Sequence, residues 1–284
     1  MSRFYPLLFV FLWSTGFIGA KYGLPHAAPL SFLLTRYGLV IVLMLLIAVA
    51  TRAPWPVDRR QWLHIGVSGV LVHAFYLGGV FVAIKQGLPA GITALVVGMQ
   101  PLLTAVGAGA LLGESVSRRQ WWGLMLGFAG VGLVMSGKLG DAALGAMLWP
   151  ALVALLGITA GTLYQKRYCS KFDLRTGSVI QFVPTALLTG LAVFFVEGYQ
   201  VEWTADFVFA LGWLVLVLSI GAISLLNLLI RHGSAVNVAS LFYLTPLSTA
   251  LIAWLVFDEK LTSTAMLGMA LAVSGVYLVA RPVK

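Results

Sequence analysis

The chain has 284 residues, of which 60% are hydrophobic and only 10% charged, with a mean hydropathy of +0.98 and a formal net charge of +9. A soluble domain carries about 25% charged residues, so composition excludes one and makes the bilayer the solvent. Reading for apolar stretches of roughly 17 to 25 residues gives ten predicted spans. They run Phe4–Tyr22, Leu30–Ala50, Trp62–Ala83, Ala90–Leu112, Trp121–Ser136, Ala143–Leu163, Gly177–Val196, Phe207–Leu229, Ser234–Phe257 and Ser263–Ala280. The loops between them leave no room for a soluble domain, and the chain reads as an all-α membrane protein.

The first span follows a short basic start but has no small-residue cleavage site, so it reads as a retained helix. Trp13 and Phe17 lie four apart near its middle, away from the interface where tryptophan normally sits. They read either as a stacking wall for an apolar or aromatic substrate or as helix packing. Arg36, in the second span, is the one full charge inside any span, Lys21 standing at the closing end of the first. It has three readings: snorkelling outward, pairing with a carbonyl, or attracting a substrate carboxylate. On the third span His73 and Tyr76 lie three apart, as do Ser224 and Asn227 on the eighth. On the fourth, Thr93, Gln100 and Thr104 share a helical face, and Phe242, Thr245 and Thr249 form the matching stripe on the ninth. Polar groups are unfavourable against lipid, so these face the bundle interior. For the serines and threonines a bond to a carbonyl of their own helix is the plain reading. Gln100, His73 and Asn227 read as site residues or as interhelical hydrogen bonds. Tyr164 and Gln165 stand at the end of the sixth span. Trp55, Trp62, Trp121 and Trp122 sit at span ends and read as belt residues.

Pro101 and Pro246 fall in the middle of the fourth and ninth spans, where proline removes a backbone hydrogen bond and bends the helix. Carbonyls freed at that depth are tolerated against protein or a wet cavity. The two bends therefore mark a central cavity or merely shape packing. The fifth span carries Gly123 and Gly127 in a GxxxG, echoed by Gly268 and Ala272 on the tenth, which allows close backbone approach within the monomer or to a second protomer. Packing within a monomer is the expectation.

Charge placement gives topology. With the N-terminus inside, thirteen of the 18 Lys and Arg fall in inside loops and four outside (Lys21, Lys85, Lys138, Lys260). This bias alternates with every one of ten spans and puts both termini in the cytoplasm. The basic charge is thus a membrane signal and calls for no nucleic-acid partner. No Asp or Glu lies within a predicted span. Proton-driven carriers use such a buried acid, so facilitative uniport is expected, with His73 as the group that titrates near neutral pH. The single Cys169 permits no intrachain disulfide. The scattered His26, His64, His73 and His232 make no metal spacing, and a GxxxxGK[ST] loop is absent. No cofactor and no metal are expected.

The chain is also written twice, at a shift of 145 positions. Gly98–Met135 against Tyr243–Ala280 gives 12 identities in 38 positions without a gap, including Pro101 with Pro246 and Glu114 with Glu259. Gly16 and Lys21 meet Gly161 and Lys166 at the same shift, while Arg36 meets the neutral Gln181. Residues 1–138 and 142–284 thus form two copies. Each holds five spans, so the copies are inverted relative to one another, the architecture of secondary transporters. Lys21 and Lys166 close their helices at opposite faces, as gate residues or solvated ends.

Each copy has a mid-helix proline in its fourth span, an acid 13 positions later and a glycine-rich fifth span. Trp13-Ser14-Thr15-Gly16-Phe17 with Lys21, and Thr35-Arg36-Tyr37, complete the pattern. In these features the chain resembles the bacterial EamA family of the drug/metabolite transporter superfamily, with overall likeness nearest the aromatic-amino-acid exporters. The resemblance implies a ten-helix inner-membrane carrier that moves amino acids, other metabolites or drugs, mostly outward, by alternating access. A multidrug or lipid-linked sugar transporter of the same fold is the rival. The remote rival is an intramembrane hydrolase built on Ser68 and His64, four apart on the third span.

Overall fold

The structure is a computed structural model describing residues 4–88, 93, 96–136, 148–169, 171–257 and 262–280. Phe17, Lys21 and Thr249 sit on described helices, but their side chains lie outside the description. Residues such as Lys138, Glu259 and Lys260 lie outside it altogether, as does most of the first half of the fourth predicted span. The described chain is helical apart from its connections, and the one β element among these residues is an antiparallel bridge of Ala27 with Val201.

The helices are labelled α1 (Tyr5–Gly23), α2 (Pro29–Ala50), α3 (Arg59–Lys85), α4 (Gln100–Leu112), α5 (Arg118–Ser136), α6 (Leu148–Tyr168), α7 (Leu174–Glu197), α8 (Ala205–His232), α9 (the broken run 235–257) and α10 (Ser263–Ala280). Six described helices, α2, α3, α6, α7, α8 and α10, are long and apolar enough to cross a membrane by themselves. Shorter apolar helical segments occur in α1, α4 and α9. The chain is a multi-pass membrane protein.

Several helices run past the apolar stretches because their ends are set by capping groups rather than by hydropathy. Asp58 accepts the Arg60 N–H at 2.9 Å and starts α3 three residues before Trp62. Asp173 starts α7 in the same way by accepting the Arg175 N–H. Thr204 caps α8 through the Phe207 N–H. Two acids reach across the fold. Glu197 accepts the N–H groups of Leu30 and Ser31, each at 2.9 Å, at the start of α2, and Glu114 accepts the Ala235 N–H at the start of α9. A carboxylate suits a helix N-terminus because the free N–H groups and the dipole both favour negative charge.

Packing repeats at the 145-residue shift. A Cβ added at Gly16 on α1 would meet Leu218 of α8 at 3.0 Å, and one at Gly161 on α6 would meet Val72 of α3 at 2.6 Å. Helices α5 and α10 lie against each other along their glycines. A Cβ at Gly123 would stand 2.7 Å from the Gly275 carbonyl, and one at Gly130 would stand 2.5 Å from the Gly268 carbonyl. The GxxxG surface is therefore used inside the chain.

Both α3 and α8 widen to π-helix in mid-course, at Val70–Leu77 and Leu214–Ala222. Their ends, Leu77 and Ala222, are also 145 positions apart. A π turn leaves backbone carbonyls without their usual partner and often marks a functional position. Here α2 supplies neighbours for both: the Tyr37 hydroxyl donates to the His73 carbonyl at 2.9 Å, and Arg36 Nε donates to Ser219 Oγ at 2.9 Å. Ser219 in turn donates to the Leu214 carbonyl five residues back.

Candidate substrate site

The α4 and α9 helices break just before their prolines. Gly98 and Met99 form a turn and α4 starts at Gln100, with Pro101 in its first turn. In α9 the helix Ala235–Ser240 tightens to a 3-10 turn at Leu241–Tyr243 before Leu244–Phe257 resumes. The expected bend at each proline is thus a break one turn ahead of it. The cause is that proline has no N–H for the carbonyl four residues back, Val97 or Phe242, and its ring crowds that carbonyl. Both of those residues border a cavity.

This cavity is small, about 30 Å³, and is lined by Trp13 of α1, Tyr76 and Val80 of α3, Thr93, Val97 and Gly98 ahead of α4, and Phe242, Thr245 and Pro246 of α9. Its walls are aromatic. Trp13 and Tyr76 lie nearly parallel, 11° apart with centroids at 6.3 Å, and Phe242 presents its edge to Trp13 at 5.3 Å. Phe9 backs both Trp13 and Phe242. Ser14, next to Trp13, donates to the Thr245 carbonyl at 3.3 Å and so ties α1 to the break in α9.

Of the residues expected to form a site, Trp13, Tyr76, Phe242, Thr245 and Pro246 meet at this cavity. Gln100 and Pro101 lie on the adjoining break and are fully buried. Both atoms of the Gln100 amide, the Thr104, Tyr243 and Thr245 hydroxyls and both ring nitrogens of His73 have no hydrogen-bond partner among the described residues. Buried polar groups are nearly always paired. Of these, the Thr245 hydroxyl belongs to a cavity-lining residue and Gln100 stands on the adjoining break, where they are free contacts for a ligand or water. Tyr243, by contrast, packs its ring against Gly127 of α5, and His73 stands on α3. His73 is stacked on Phe182 with centroids 4.2 Å apart.

The remaining expected residues stand elsewhere. Asn227 belongs to an amide network across four helices. Gln165 Nε2 donates to Asn227 Oδ1 at 2.8 Å, Asn227 Nδ2 to Gln181 Oε1 at 3.4 Å, and Gln181 Nε2 to Ser68 Oγ at 3.1 Å. Tyr164 lies near the end of α6 with its hydroxyl 2.7 Å from His64 Nδ1 and its ring beside Tyr168. Lys166 donates to the Ile230 and Gly233 carbonyls at 3.0 and 2.6 Å, capping α8. Arg36 is buried, with Ser219 as its hydrogen-bond partner, so it does not snorkel. Ser68 and His64 bond away from each other, Ser68 to Ile65 and His64 to Tyr164, which does not form a nucleophile–base pair. Val80, Val97, Gly98 and Phe9 carried no distinguishing sequence signal, because an apolar lining residue reads like any other buried one.

Comparison with known proteins bears on family and fold. A relative from Bacillus subtilis (strain 168), the uncharacterized transporter YvbV, is 29% identical over 283 residues, covering 95% of this chain and 88% of that protein. The uncharacterized inner membrane transporter YedA of Escherichia coli (strain K12) is 27% identical over 94% of this chain and 87% of its own length. A probable amino-acid metabolite efflux pump of the same strain is 26% identical over 96% and 92%. One solved crystal structure matches with a TM-score of 0.79 over 97% of this chain and 95% of that chain at 19% identity, a likeness of fold. The EamA-like transporter family model matches twice, over residues 3–136 and 145–281. The chain therefore belongs to the EamA-like transporter family.

Proposed function

We propose that this protein is a bacterial inner-membrane secondary transporter of ten transmembrane helices, built as two inverted five-helix repeats with both termini cytoplasmic. It exports amino acids, aromatic ones included, or related small metabolites by alternating access. The observation that carries the reading is the aromatic-walled cavity at the two proline breaks, lined by Thr245, whose buried hydroxyl has no partner among the described residues, with the equally unpartnered Gln100 amide on the adjoining break. Broken helices at mid-depth expose backbone where a substrate can use it. At about 30 Å³ the cavity has room for water only, so a substrate enters when the walls part. The amino-acid class draws support from the efflux-pump relative. The carrier works as a monomer, since its glycine faces are consumed by α5 against α10.

Uptake of a radiolabelled amino-acid panel into liposomes holding the purified protein, with and without a pH gradient, tests this. Saturable flux indifferent to the gradient is expected, because no acid lies in the middle of a described span. Accumulation driven by the gradient would overturn uniport and make His73 the proton site. Absence of any flux would overturn the amino-acid class.

A further inference from the structure

Arg36 is a cation deep in the fold with no group of opposite charge beside it among the described residues. It is 3% exposed. Its Nε atom donates to Ser219 Oγ, and its two Nη nitrogens make no hydrogen bond to any described residue. The ion pairs among the described residues are Arg175 with Asp173 and His26 with Glu202, both near helix ends. Glu197 and Glu114 are committed to the starts of α2 and α9. A guanidinium taken out of water without a counter-ion is strongly unfavourable. Such a group persists where a transient anion completes it.

Its depth places it level with the cavity. The ends of α1 and α3 meet on one face, where Lys85 donates to the Leu24 carbonyl, and α2 begins there. From that face Arg36 is seven residues into α2, Tyr76 nine residues from the end of α3 and Trp13 ten from the end of α1. At 1.5 Å per residue these are depths of roughly 10, 13 and 15 Å. Tyr76 lines the cavity and lies within electrostatic range of Arg36.

We infer that Arg36 is the anion-recognition group of this transporter, and that its preferred substrates are apolar monocarboxylates, such as 2-oxo or aryl acids, ahead of the zwitterionic amino acids. The carboxylate takes the free Nη fork, whose planar geometry matches two carboxylate oxygens. The apolar body lies against Trp13, Tyr76 and Phe242. An α-ammonium group would have to be desolvated with no carboxylate among the described residues to receive it, leaving neutral oxygens such as the freed carbonyls and the ring faces as its compensation. Removing that group improves the fit. This inference rests on the transport reading above and narrows its substrate class.

A charge series on one ring separates the possibilities: phenylpyruvate, phenylalanine and phenyltrimethylammonium, assayed in proteoliposomes under a potassium–valinomycin diffusion potential. Expected is phenylpyruvate flux roughly tenfold above phenylalanine, with no flux of the cation. A carried monoanion is electrogenic, so an inside-positive potential concentrates phenylpyruvate about tenfold for every ~59 mV. R36Q abolishes phenylpyruvate flux, and R36K retains part of it. Equal flux of phenylpyruvate and phenylalanine, indifference to the potential, or full anion flux in R36Q overturns the inference. If R36Q fails to fold, the charge series and the potential in the native protein decide alone. Thermal unfolding in detergent separates the two readings. A rise in Tm with phenylpyruvate but no flux upholds the anion site and sinks the transport reading, and neither a rise nor flux sinks both.

Discussion

Trp13 is held from three sides, by Tyr76, Phe242 and Phe9, and forms the largest wall of the cavity. Truncation to alanine removes that wall, and W13A is expected to lower counterflow of aromatic substrates by roughly a hundredfold, with W13F retaining part, since truncating a buried aromatic anchor costs about 2–4 kcal/mol of binding. Gln100 permits a cleaner separation of function from stability. Its amide is buried and unpaired, and replacing such a group by an apolar one of similar shape is neutral or stabilising. Q100L is therefore expected to melt at or above the native temperature while losing transport; a lowered Tm together with intact flux would assign Gln100 to packing. Of these four that meet at the cavity, the sequence pointed to Trp13 through its depth, to Tyr76 through its spacing from His73, and to Phe242 and Thr245 through the doubled pattern. It did not separate them from Asn227 or Tyr164, which have similar polarity and periodicity, because periodicity fixes the spacing of residues along a helix and leaves open which neighbour that face meets. The partner of Arg36 was equally hidden, since Ser219 reaches it through a π turn.

At the scale of elements, α4 and α9 carry the breaks and α3 and α8 the π turns, and three of these four irregular helices, α3, α4 and α9, meet at the cavity with α1. Restoring regular helix is expected to close it. P246A supplies the missing N–H to the Phe242 carbonyl, straightening α9 and raising protection of its amides in hydrogen exchange while flux falls by roughly tenfold or more. The α5–α10 pair makes the opposite demand, for the least side chain possible. A Cβ at Gly130 would stand 2.5 Å from the Ala272 backbone N. G130V therefore pushes the two helices apart and is expected to lower Tm, by the roughly 1–3 kcal/mol typical of overpacking, without changing the substrate preference of whatever protein remains folded. Hydropathy located these helices to within a few residues. Their ends came from Asp58, Asp173 and Thr204, single capping residues that an apolar count passes over.

For the molecule as a whole, each face of the bundle is closed by bonds between segments far apart in sequence. On one, Lys166 caps α8 and Glu114 caps α9. On the other, Glu197 holds the start of α2, and the chain after it pairs with Ala27 and Ala28. The proposed alternating access would have one set open while the other holds. Cys169, next to Lys166, reports on the first. Burial pushes its thiol up to about 11, so the thiolate is scarce at neutral pH and modification by a maleimide is expected to be slow, rising with pH towards that value. K166M removes the cap and is expected to speed the labelling several-fold at fixed pH; an unchanged rate would mean that this face opens elsewhere. The membrane class, the doubled pattern and the prolines at its centre were legible in composition and spacing, because bilayer thickness and helix pitch fix how long an apolar span must be, and a repeat and its prolines are properties of the residue order itself. The cavity, the isolation of Arg36 and the commitment of Asn227 to a network were decided by tertiary structure, because they depend on how each helix is rotated about its own axis against its neighbours.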